Sequence, residues 1–177
     1  MSNKFEILMH QLDMPLEMRN SEAFLNAEIE KVLVHKVSRV WEFHFSFANI
    51  LPIEIFRELQ KRLAQEFSKT GNQAIFEIHC QAPQVSDELL QAYYQLAFEE
   101  GPCASHGFKS LYQDLRVHLD GDKLLIEGAS TIDTEHFRKN HLPNLSQQLV
   151  KYGFPKLTCQ VQHSDELTQQ QAENFQA

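Results

Sequence analysis

Val40-Trp41-Glu42-Phe43-His44-Phe45-Ser46-Phe47 is the stretch whose reading decides the fold. Phe43, Phe45 and Phe47 recur with the period of two that a half-buried strand requires. The chain then changes period. Phe56, Leu59, Leu63 and Phe67 recur at spacings of three and four, the apolar stripe of a helix lying on a sheet, and Arg57, Lys61 and Arg62 fall off that stripe. Gly71 is placed to end the helix, because glycine tolerates the left-handed backbone that commonly closes one. Ala74-Ile75-Phe76-Glu77-Ile78-His79-Cys80 then returns as a strand. An extra strand, Ile29 to Val34, stands in front of this unit.

The same plan recurs further along. Leu115 to Leu119 reads as a leading strand, and Asp120-Gly121-Asp122 is a hairpin turn, since Asp-Gly is a strong short-range hairpin signal. Lys123 to Ala129 is the second strand. A helical stretch from about Thr134 carries Phe137, Leu142, Leu145, Leu149 and Tyr152, Gly153 ends it, and Lys156 to Gln162 runs back as a strand. The terminating glycines stand roughly 80 residues apart, a spacing that fits duplicated domains better than solenoid repeats. The expected class is α+β: two small modules, each a three-stranded sheet with helices packed on one face. The boundaries are 1–83 with an N-terminal helix, 84–163, and 164–177 as a polar tail or the start of a linker.

Outside the repeated plan, Phe5, Leu8, Met9 and Leu12 make one apolar helical face, closed by Asp13 and Pro15. Ser21 is a good N-cap for a second short helix. Ser86-Asp87-Glu88 caps a third, with Leu90, Tyr93, Tyr94 and Ala97 on one side and Gly101-Pro102 at its end.

Composition narrows the function. With 177 residues and 42% apolar content the chain is long enough for real cores, and with no apolar run of membrane-spanning length and no charged-then-apolar opening, neither a membrane span nor a secretory signal is expected. Three cysteines are an odd number and suit buried thiols in a reducing cytoplasm, which is the expected location. The net charge of -8 sits in the flanks and the linker, because residues 29–80 sum to +1 and residues 111–162 to zero. Near-neutral modules permit weak phosphate contact without implying it.

Three chemical patterns stand beside plainer readings. Asp120 and Asp122 resemble a paired-carboxylate metal site, but a hairpin tip selects the same residues. Cys103 with His106 has the makings of a nucleophile and base, or of half a zinc site with Cys159 and His163, yet no second tight ligand pair accompanies them. His35, His44, His79 and His118 read as solvent-facing strand residues rather than ligands. No glycine-rich phosphate loop occurs, and no cofactor or metal is expected.

From Ser86 onward the order of helix, strand, strand, short helix, turn, helix, strand, with Pro143 interrupting the long helical stretch, resembles a type II KH domain. The nucleic-acid clamp of that family is a GXXG turn. Here the turn would fall in Lys139-Asn140-His141-Leu142-Pro143, which contains no glycine, so the backbone cannot approach phosphates as closely. Over the whole chain, Arg39-Val40-Trp41-Glu42-Phe43-His44, Gln65-Glu66-Phe67, Lys139-Asn140-His141 and Tyr152-Gly153-Phe154 resemble the N-terminal region of the PolC-type alpha subunit of bacterial DNA polymerase III from low-GC Gram-positive bacteria.

That resemblance implies a first module similar to the C-terminal domain of the clamp-loader tau subunit and a second that is KH type II-like. It places the polymerase and proofreading exonuclease further along a longer chain, so no catalytic residue is expected here. The implied role is a platform in DNA replication that docks replisome proteins, the tau subunit among them, and touches single-stranded or primer-template DNA. Arg138, Lys139, His141 and Lys151 are the expected nucleic-acid contacts. Phe5, Met9 and Trp41 are the expected protein contacts, with Trp41 equally readable as a side chain packed under a flanking helix. A free-standing KH-like RNA-binding protein and a small thiol or metal enzyme are the alternatives.

Overall fold

The computed structural model describes residues 2–101, 104, 112–129 and 142–163. They form two compact units, the first comprising Met1–Gln84 with Lys151–Phe154 and the second Val85–Val150 with Pro155–Ala177. Each contains one three-stranded sheet with helices, so the chain is α+β.

The first unit opens with α1 (Asn3–Gln11), capped by the Ser2 hydroxyl, which accepts from the Phe5 N–H. A four-residue helix α2 (Leu16–Arg19) follows, and Ser21 caps a single 3-10 turn (Glu22–Phe24) rather than a longer helix. Strands β1 (Glu28–His35) and β2 (Val40–Phe47) are an antiparallel hairpin, and α3 (Ile53–Ser68) carries the chain across to β3 (Gln73–Cys80), which pairs parallel to β2. Gly71, at φ +74, closes the α3 to β3 turn as its position requires.

Why β2 is central follows from its side chains. Phe43, Phe45 and Phe47 are all buried, and their rings join a continuous aromatic layer with Phe5 and Phe24 from the N-terminal segment and with Phe76 from β3. Phe56 on α3 packs against Phe76 at 5.2 Å and against Tyr152 at 5.2 Å, so residues 151–154 complete this core. Offset and edge-on ring pairs of this kind add roughly 0.5–1.5 kcal/mol each beyond the area they bury. Arg62 on α3 donates to the carbonyls of Leu12 and Asp13 at the end of α1, where the helix leaves acceptors unpaired. A second contact, from Arg62 to Glu58, holds that carboxyl below its usual range through the hydrogen bond. Arg62 is thus a structural clasp between α1 and α3.

The second unit begins with α4 (Asp87–Glu99), capped by Ser86 as the sequence indicates. Strands β4 (Val117–Asp120) and β5 (Lys123–Ala129) pair antiparallel, α5 (Leu142–Lys151) follows, and β6 (Thr158–His163) pairs parallel to β5. Ile126 stands between Val117 and Val161 in the sheet, and these three are buried together with Leu124, Leu145, Leu149, Leu90, Tyr93 and Tyr94. The strand order β4-β5-β6 and its pairing directions repeat those of β1-β2-β3. The short helix and turn expected before α5 lie outside the described residues.

Candidate functional site

The expected contact residues are placed as follows. Phe5 and Met9 are fully buried, with Phe5 wedged edge-on against Phe45 and Phe47, so both hold α1 on the sheet and neither faces a partner. The one-faced helical pattern is correct, but the face it presents belongs to the core. Trp41 is half-buried on the phenylalanine face of β2, its ring 5.1 Å from Phe67. Lys151 is exposed at the last turn of α5. Arg138, Lys139 and His141 lie outside the described residues.

Residues proposed for chemistry separate in the same way. Asp120 pairs with Lys123 across the β4 to β5 turn, Gly121 takes φ +63, and the Asp122 carbonyl accepts from the Thr158 N–H. Both carboxylates therefore belong to a hairpin. Cys103 and His106 are outside the described residues. Cys80, buried on β3, has its thiol pushed up to about 11 by desolvation, so it is protonated at neutral pH and a poor nucleophile. Among the described residues no group of three or more His, Cys, Asp or Glu side chains is arranged to hold a metal ion. None of the described helices is long and apolar enough to cross a membrane.

The histidines of the first sheet face glutamates. His44 lies 3.5 Å from Glu42 and 3.8 Å from Glu77, His35 lies 3.7 Å from Glu42, and His79 lies 3.4 Å from Glu30. All stand on the sheet face opposite the phenylalanines. The signal for this array is the strand register, which sets Glu77 beside His44 and cannot be read from one strand alone. In the second unit, His118 and Glu127 approach to 3.1 Å in a groove of about 740 Å³ between α4 and β4.

That groove shows how the β4 edge is closed. Asp87 accepts from the Leu119 N–H at 2.9 Å, and Gln91 both accepts from the Val117 N–H at 2.8 Å and donates to the Leu115 carbonyl at 3.0 Å. Side chains of α4 thereby occupy groups that would otherwise recruit another strand.

Comparisons with known proteins agree along the chain. Residues 4–78 match the family described as DNA polymerase III polC-type N-terminus I, and residues 92–177 match the one described as DNA polymerase III polC-type N-terminus II. A "DNA polymerase III PolC-type" from Streptococcus sanguinis (strain SK36) is 98% identical over 177 residues, which is 100% of this chain and 12% of the relative. The protein of that name from Streptococcus pneumoniae serotype 2 (strain D39 / NCTC 7466) is 63% identical over the same 177 residues and the same shares. That from Streptococcus agalactiae serotype III (strain NEM316) is 46% identical over 176 residues, covering 99% of this chain and 12% of the relative. The chain thus spans about an eighth of the length of the curated relatives it matches. No solved structure matches it. The chain belongs to the PolC-type DNA polymerase III N-terminal families, the first over residues 4–78 and the second over residues 92–177.

Proposed function

We propose that this region is a non-catalytic platform of a bacterial replicative DNA polymerase, one that docks replisome proteins and contacts DNA while polymerisation and proofreading are carried out elsewhere in a longer polypeptide. The observation that carries this reading is the full-length match of this chain to about an eighth of PolC-type polymerases, in the two families named for their N-terminus. Supporting it, His44 with Glu42 and His118 with Glu127 pair along strands, and Arg62 serves the fold by holding the end of α1.

For DNA we propose the segment leading into α5, with Arg138, Lys139 and His141, together with Lys151 at the far end of that helix. The KH-like reading of the second unit supplies the placement, and the missing GXXG glycines imply side-chain rather than backbone contact with phosphates. Trp41 is the residue proposed for contact with a protein such as the clamp-loader tau subunit.

The test is a titration of labelled single-stranded DNA at low and at high salt. The wild-type chain binds weakly at low salt and loses affinity as salt rises, since phosphate contact releases counterions. Reversing charge at Arg138 and Lys139 together lowers the low-salt affinity by roughly ten-fold or more, two phosphate contacts being replaced by repulsion. Absence of any low-salt binding by the wild-type chain would remove the DNA half of this reading and leave the protein-docking half standing.

A further inference from the structure

Two turns of the first unit stand side by side. Strand β1, the exposed edge of the first sheet, enters β2 through Lys36-Val37-Ser38-Arg39, and α3 enters β3 through Lys69-Thr70-Gly71-Asn72. The Arg39 carbonyl accepts from the Gln73 N–H at 2.9 Å, and the Arg39 guanidinium reaches over Gly71, where an added Cβ would lie 3.2 Å from its Nη1. Together the turns carry Lys36, Arg39 and Lys69 and no acidic residue.

The fold makes little use of these cations. Lys69 meets Glu66 at 2.9 Å in an exposed pair, and such pairs contribute little because solvent and salt screen them. The side chains of Lys36 and Arg39 are exposed and make no hydrogen bond or ion pair with any described residue. This differs from Arg62, which is clasped to the end of α1. Arg39 also keeps a left-handed backbone, at φ +56, where glycine would sit with less strain. The C-terminus of α3 attracts a cation through the helix dipole, which explains one positive charge beside it but not three in two turns. Between Lys36 and Arg39 in sequence, Val37 is fully exposed.

We propose that these two turns are a contact surface for the phosphate backbone of DNA, with Lys36 and Arg39 on phosphate oxygens. The side-chain chemistry selects this occupant. Protein interfaces gather aromatic and apolar side chains at their centre and deplete lysine, whereas Val37 is the whole apolar content of the two turns. Ser38, Thr70 and Asn72 accompany the cations, and these residue types together with Lys and Arg make most contacts to phosphate. Membership of a polymerase N-terminal family favours DNA over another polyanion. The inference rests on the reading that this region touches DNA, and it adds a place of contact in the first unit, apart from Arg138 and Lys139.

Titration of labelled single-stranded DNA with the 177-residue chain, at several salt concentrations, tests it. Lys36→Gln is expected to lower the low-salt affinity about three-fold or more and to reduce the slope of log affinity against log salt by about 0.7, the value for one phosphate of a single strand. Arg39→Gly is expected to do the same without lowering the urea midpoint, since the substitution relieves the left-handed strain. Both effects should persist in a chain already charge-reversed at Arg138 and Lys139, which separates the two places of contact.

A wild-type chain that binds DNA with affinity and slope unaltered by Lys36→Gln and Arg39→Gly overturns this contact alone and leaves the broader reading intact. A wild-type chain that does not bind removes both. Arg39→Gly that lowers the midpoint with unchanged affinity assigns the guanidinium to the fold and overturns the proposal. So does polyglutamate that displaces the DNA equally well at equal charge, because the turns would then serve protein carboxylates.

Discussion

Phe45→Ala lowers the stability of the first unit by about 3–5 kcal/mol, the range for truncating a fully buried phenylalanine that the surroundings cannot refill. Phe45 has no exposed surface, and its ring contacts four others: Phe5 at 5.7 Å, Phe43 at 5.7 Å, Phe47 at 5.9 Å and Phe76 at 5.5 Å. These four come from α1, from β2 itself and from β3. Removing the shared ring therefore leaves a void where the N-terminal helix and two strands meet. Set against the roughly 5–15 kcal/mol that small domains possess, this is enough to populate unfolded forms of the unit at moderate temperature. Urea denaturation followed by far-UV circular dichroism reads the change as a lower midpoint. Trp41→Ala is the comparison: its ring is half-buried at the end of the layer with one described ring contact to Phe67, and a cost near 1–2 kcal/mol is expected.

Gly153→Ala is expected to be nearly as damaging, for two separable reasons. Gly153 has φ +106, a backbone conformation that side-chain-bearing residues rarely adopt, and holding alanine there costs about 1–3 kcal/mol. A Cβ at that position would also lie 2.5 Å from the Cys80 sulfur, closer than atoms can stand, and a tight 3.1 Å from Ile78 Cγ2. Overpacking of this sort adds about 1–3 kcal/mol. Cys80→Ala in the same chain removes the sulfur and not the backbone strain. The double variant should thus recover part of the loss, with a coupling of roughly 1–2 kcal/mol in a double-mutant cycle. Full additivity of the two substitutions, measured by the same urea transitions, would mean that residues 151–154 do not pack on β3 as described.

Much of this architecture is legible in the sequence, and the reason is periodicity. The alternation of Phe43, Phe45 and Phe47, the three-four spacing from Phe56 to Leu63 and the Asp-Gly turn at 120–122 are local signals that tertiary contacts reinforce. Ser86 and Gly71 punctuate helices because capping and left-handed backbone are also local matters. What the sequence conceals is partnership. Nothing within Tyr152-Gly153-Phe154 says that these residues complete the first core, since the evidence is a clash that a side chain would make with Cys80, far away along the chain.

Phe5 and Met9 carry the pattern of a docking helix, and only the rings around them show that the docking is intramolecular. The histidine and glutamate pairs depend on the register between strands, and the closed β4 edge depends on Asp87 and Gln91 reaching from a neighbouring helix. Single-sequence reasoning has no access to either. The exposed β1 edge is similar: Val32-Leu33-Val34 looks like any buried strand until its neighbours are counted.

The central claim is that one plan of hairpin, crossover helix and parallel strand is written twice and folds as two units with separate cores. Amide hydrogen exchange on the 177-residue chain tests it most directly. Two sets of slowly exchanging amides are predicted, one in β2 and β3 and the other in β5 and β6, with Phe45→Ala accelerating exchange in the first set and leaving the second near its wild-type rates. A single set of protected amides that weakens throughout both sheets in the Phe45→Ala chain would contradict it.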